Sequence, residues 1–187
     1  TEDYIQEQLN NLIQNPECGN THYNLGTAYL KLRDWPKAEK HFREASEHSP
    51  TLSEAFVQLG GIALQRGDLD QCLFFNQLAL EKRENYSIAY GNIGFVYMQK
   101  GEVGKAIEAL KKAIKKNSEF IQARTTLANA YYMSGLLDEA EKEAKGVLAI
   151  NEKFGPAYNA LALVHLEREE FDQAVENVKK AQDNGFE

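Results

Sequence analysis

Five stretches of this chain fall on one grid of 34 residues without an insertion: Asn24-Leu25-Gly26, Gln58-Leu59-Gly60, Asn92-Ile93-Gly94, Thr126-Leu127-Ala128 and Ala160-Leu161-Ala162. They hold the same place in windows 19–52, 53–86, 87–120, 121–154 and 155–187. A period of this length marks a chain made by stacking one supersecondary unit, each copy burying its apolar face against the next. The seventh column (Leu25, Leu59, Ile93, Leu127, Leu161) is large and apolar, and the eighth (Gly26, Gly60, Gly94, Ala128, Ala162) is tiny. Small residues recur where two helices cross closely, because a larger side chain would hold the backbones apart. Two further small columns, starting at Ala38 and Ala45, fit the same packing.

Within each window the apolar residues follow helical spacing in two runs, such as Tyr23 to Leu32 and Trp35 to Ala45, separated by a short polar break. Each window is therefore expected to be a helical hairpin in an all-α chain. The breaks contain Asp34, Gly67-Asp68, Gly101-Glu102, Gly135 and Glu169. Glycine there stops one helix and an acidic residue suits the start of the next. Pro36 and Pro156 fall where a first-turn proline is tolerated. In the leading segment 1–18, Tyr4, Ile5, Leu9, Leu12 and Ile13 make one apolar stripe, expected to cover the first hairpin as the second helix of a partial repeat.

The combination His22-Tyr23-Asn24-Leu25-Gly26, Tyr29, Ala38, Phe42, Ala45 and Pro50 resembles the tetratricopeptide repeat family, and the resemblance runs over residues 19–187. It departs from the family pattern where Arg33 and Glu169 replace the turn glycine and where Glu84, Ser118 and Glu152 replace the closing proline, so loop geometry is the feature in question. The resemblance implies a right-handed superhelical solenoid of antiparallel helix hairpins. It also implies a concave side lined by the second, fifth, sixth, ninth, twelfth and thirteenth residues of each window.

Those columns supply Asn24, Gln58, Asn92, Thr125, Thr126, Asn129 and Asn159, which are neutral donors and acceptors. A carboxamide offers a carbonyl and two N–H groups, so a row at repeat spacing can pair with the main chain of an extended peptide. The alternative is that asparagine simply precedes Leu-Gly and is solvated. Tyr23, Phe95, Met98 and Tyr132 are the expected anchors for partner side chains, with Met133, Leu163 and Leu166 divided between that role and packing between hairpins. The resemblance also implies that a family chaperone-tail clamp would need Lys, Asn and Arg at the fifth, ninth, second and sixth columns. Tyr23, Thr27, Ile88, Asn92, Gln122 and Thr126 stand there instead.

Signals for chemistry are thin. His22, His41, His48 and His165 fall in different columns, and the Glu44–His48 spacing offers two metal ligands with no third beside them in sequence, so no metal site or cofactor is expected. No strand leads into a glycine-rich turn, and no nucleophile stands in a recognisable signature, so the chain is not expected to be an enzyme. Lys111, Lys112, Lys115 and Lys116 make a basic helix face expected to be solvated, and Trp35 is expected in the core. With 28 acidic against 21 basic residues the net charge is −7, which disfavours nucleic acid as partner. No run approaches the roughly 18 apolar residues a membrane helix needs. Cys18 and Cys72 alone make neither a disulfide framework nor a zinc site, which suits a reducing, cytoplasmic compartment.

The expected function is therefore a protein-interaction scaffold holding an extended segment of a partner protein. Two alternatives are the substrate-recognition region of a larger enzyme, such as a protein glycosyltransferase, and a scaffold that self-associates through its repeat ends.

Overall fold

The computed structural model describes residues 2–186. Among these, eleven helices follow one another with no strand. They are α1 (Glu2–Gln14), α2 (Gly19–Lys31), α3 (Trp35–His48), α4 (Ser53–Gln65), α5 (Leu69–Lys82), α6 (Ser87–Gln99), α7 (Val103–Lys116), α8 (Ile121–Met133), α9 (Leu137–Ile150), α10 (Gly155–Glu167) and α11 (Phe171–Asp183). The chain divides into two compact units between Ala89 and Tyr90, inside α6.

In the first unit α2 pairs with α3 and α4 with α5, while α3 packs against α4 and α1 against α2. Phe42 is fully buried among Ala38, Leu59, Ile62 and Phe75, with Trp35 packed against the same cluster as expected. Burying one such ring contributes about 1.5–3 kcal/mol. A second cluster joins Val57, Ala79, Tyr86 and Ala89. The small eighth column proves to be steric: a Cβ added at Gly26 would lie 2.7 Å from the Phe42 ring.

The α1 stripe is narrower than its sequence suggests. Ile5 is buried with Leu25 and Ala28, and Leu9 and Leu12 pack against them, but Tyr4 and Ile13 are 43% and 80% exposed. The face that meets α2 runs through Ile5, Gln8, Leu9 and Leu12, at i, i+3, i+4 and i+7. Gln8, not a fourth apolar residue, completes it and is buried.

In the second unit α8 pairs with α9 and α10 with α11, α7 packs on α8, and α10 contacts both α8 and α9. Ala106, Leu110, Ala113, Ala123 and Leu127 form one cluster, and Ala128, Ala144, Ala160 and Leu161 another. At Gly94 an added Cβ would meet Leu110 Cγ at 2.5 Å, repeating the close crossing seen at Gly26.

The turns within hairpins are left-handed at Gly67, Gly101 and Gly135 (φ +76°, +74° and +73°) and equally so at Arg33 and Glu169 (φ +59° and +60°). The departures from glycine therefore leave turn geometry intact, and the strain of roughly 1–2 kcal/mol that a side chain meets there is carried by the surrounding packing. Asp34 and Asp68 cap the second helices by accepting from the Lys37 and Gln71 backbone N–H groups at 3.2 and 3.0 Å. Glu102 holds the equivalent position without capping, and its carboxylate meets Lys105 Nζ at 2.5 Å. Pro36 and Pro156 lie in the first turns of α3 and α10.

Candidate functional site

The eleven residues expected to hold a peptide all lie on first helices of hairpins, but their side chains are not equally available. Asn24, on α2, is half-buried, and its Nδ2 donates to Gln8 Oε1 of α1 at 3.3 Å. The covering helix thus already uses the first rung of the expected row. Beside it Tyr23 leans on Phe42, ring centroids 5.6 Å apart, and helps line a cavity of about 340 Å³ with Tyr4, Thr27, Ala28 and Lys31. Gln58 is half-buried on α4.

In the second unit, Asn92 is half-buried on α6, Phe95 is 38% exposed, and Met98 packs against the Leu110–Leu127 cluster. On α8, Asn129 is exposed and Tyr132 half-buried. Thr125 and Thr126 differ from expectation: their hydroxyls donate to the Ile121 and Gln122 carbonyls at 2.9 and 2.8 Å. A threonine inside a helix reaches the carbonyl one turn back, so each keeps acceptor capacity only. On α10, Asn159 borders an apolar cavity of about 240 Å³ with Leu163, Leu166, Val175 and Val178. Met133 and Leu166 are 61% and 52% exposed.

Sequence reasoning missed two features. The first is an ion pair recurring at equal columns in both units. Glu39 meets Arg66 at 2.5 Å, and Glu141 meets Arg168 at 2.5 Å. Each joins the second helix of one window to the turn after the next first helix. Glu39 also binds Arg43 at 2.8 Å, and Glu141 also binds Lys145 at 2.5 Å. Lys145 and then Arg168 hold the Glu141 carboxyl down at about 2, while Asp138 adds a second carboxylate to Arg168. Reading the twenty-first column against the fourteenth of the following window would have found the pair.

The second is a histidine cluster. His22, His41 and His48, expected to be separate, come together because α2 and α3 run antiparallel. His22 Nδ1 lies 3.0 Å from His41 Nδ1, and the His22 and His48 rings stack at 5.6 Å. His22 Nε2 lies 3.1 Å from the Pro16 carbonyl. Burial, and then neighbouring His22, push the His41 imidazole down to about 4, so it is neutral at physiological pH. His165 does pack at its turn, with Nδ1 2.6 Å from Glu170 Oε2.

The basic residues Lys111, Lys112, Lys115 and Lys116 are all exposed. Cys72 is buried, which pushes its thiol up to about 11. Among the described residues no helix is long and apolar enough to cross a membrane.

None of the curated proteins matches the sequence. Among solved structures, PilW, described as a widely conserved type IV pilus biogenesis factor, aligns at a TM-score of 0.80 and 20% identity, over 89% of this chain and 77% of that one. A MamA chain from Desulfovibrio magneticus RS-1 aligns at 0.77 and 16%, over 89% and 94%. YrrB, described as a TPR protein with an unusual peptide-binding site, aligns at 0.76 and 17%, over 95% and 92%. At these identities the likeness is one of fold. The tetratricopeptide repeat pattern itself matches residues 19–52 and 97–164. With its hairpins, small-residue crossings and left-handed turns, the chain belongs to the tetratricopeptide repeat family.

Proposed function

We propose that the chain, with windows 19–52, 53–86, 87–120, 121–154 and 155–187 as its repeats and segment 1–18 as cover, is a non-enzymatic scaffold that holds an extended segment of a partner protein on its first helices. The observation that carries this is the surface of α6, α8 and α10. Phe95, Met133 and Leu166 stand 38–61% exposed on the helices that also carry Asn92, Asn129 and Asn159. Large apolar groups in water are costly, and an extended peptide would cover them while its main chain pairs with carboxamides. YrrB, which has a peptide-binding site on a similar fold, supports this reading. In the first unit the contribution comes from Gln58 and Tyr23, since Asn24 is engaged by Gln8.

The test is affinity capture from the source lysate with the wild-type chain and an Asn92→Ala, Tyr132→Ala double variant. Loss of a partner with helicity unchanged is the expected result. Capture of the same partners by both chains sinks the assignment to the first helices.

A further inference from the structure

We propose that His22, Glu44 and His48 form a site for a divalent transition-metal cation of the zinc class. One ligand atom from each lies within 4.8 Å of the other two, and His48 Nε2 is 3.4 Å from Glu44 Oε2. Glu44 and His48 are one turn apart on α3 and so share a face, and α2 delivers His22 to it. Two imidazoles and one carboxylate are ligands that suit zinc and its neighbours, whereas magnesium and calcium select oxygen-rich sets. Three protein ligands would leave a fourth position to water.

The site has a fixed and a movable part. His22 is only 8% exposed, and its ring is aimed by the Pro16 carbonyl on one nitrogen and His41 on the other. Capture of a cation releases one of these bonds and keeps the other, which then orients the ring as outer partners of metal-bound histidines do. Ligands about 2.0–2.1 Å from zinc stand roughly 3.3 Å apart in a tetrahedron. The Glu44–His48 distance already meets this, and with all three ligand atoms within 4.8 Å of one another, closing on His22 requires movement of at most about 1.5 Å. Glu44 and His48 have the freedom for it, with side chains 38% and 28% exposed. A bound ion would fasten the end of α3 to the start of α2.

Titration calorimetry and thermal unfolding of the full chain with Zn²⁺ alone, and with Mg²⁺ alone, test the proposal. One Zn²⁺ per chain with a raised Tm, and no response to Mg²⁺, is expected. His48→Ala and Glu44→Gln, both at accessible positions, should each weaken Zn²⁺ binding at least about 10-fold while leaving the metal-free Tm in place. Cys18→Ser should bind as wild type does. The proposal is overturned if millimolar Zn²⁺ is not taken up, if His48→Ala binds with unchanged affinity, or if Cys18→Ser alone loses the ion. No uptake would mean that the cluster is a hydrogen-bonded histidine pair beside a surface ion pair.

Discussion

The first hairpin, α2–α3, and the last, α10–α11, carry the same columns in different surroundings. Phe42 and Val178 are equivalent residues, as are Trp35 and Phe171. Phe42 is fully buried and Trp35 packs against its cluster, whereas Val178 and Phe171 are 45% and 60% exposed. In the first unit α3 has α4 laid against it, and Leu59, Ile62 and Phe75 close over Phe42. Helix α11 packs against α10, and its outer apolar face, with Val175 70% exposed, stays open. A repeat column therefore specifies which way a side chain points, and the neighbouring hairpin decides whether it leaves water.

The largest test of that comparison is a pair of truncations. Phe42→Ala should cost about 3–5 kcal/mol in denaturant unfolding, whereas Val178→Ala should stay within about 1 kcal/mol. Similar losses at both would show that α11 is covered as α3 is. A smaller effect concerns what the two hairpins share, the left-handed turn at Arg33 and Glu169. Glycine relieves the backbone strain but adds freedom to the unfolded chain. Arg33→Gly and Glu169→Gly should each therefore raise stability by about 0.5–1 kcal/mol, read as an increased urea midpoint at unchanged slope. A loss at either position would mean that the side chain itself holds the turn.

The smallest effect should come from the recurring ion pair. Because the folded-state value of Glu141 is depressed from 4.5 to about 2, its contribution is present above pH 4.5 and is lost as pH falls towards 2. Lys145 is 64% exposed, so screening should keep the contribution below about 1 kcal/mol and reduce it in high salt. Glu141→Gln should flatten the stability profile across that pH window. At Glu39 burial pushes the carboxyl up, and Arg43 and Arg66 outweigh it, so Glu39→Gln should act in the same direction.

Helices, turns and the tiny crossing column are legible in the residues because they are local or periodic: Gly26 and Gly94 are small for the same reason in different windows. The α1 stripe looks wider in sequence than the face it buries, because Tyr4 and Ile13 flank that face and only contact with α2 fixes its width. Among the expected binding residues, position is legible and availability is not. Asn24 looks like any other rung until Gln8 is placed beside it, and Thr125 and Thr126 resemble free donors until their own helix claims them.

By itself the sequence determined the period, the hairpin and the side of each helix that carries polar or apolar groups, since these follow from the spacing of residues along one chain. Tertiary structure decided which side chains from different helices meet. His22 and His48 stack only because antiparallel pairing turns the start of α2 towards the end of α3. Arg66 finds Glu39, and Arg168 finds Glu141, only because successive hairpins stack. Such meetings depend on distances across the fold, which a column of residues does not contain.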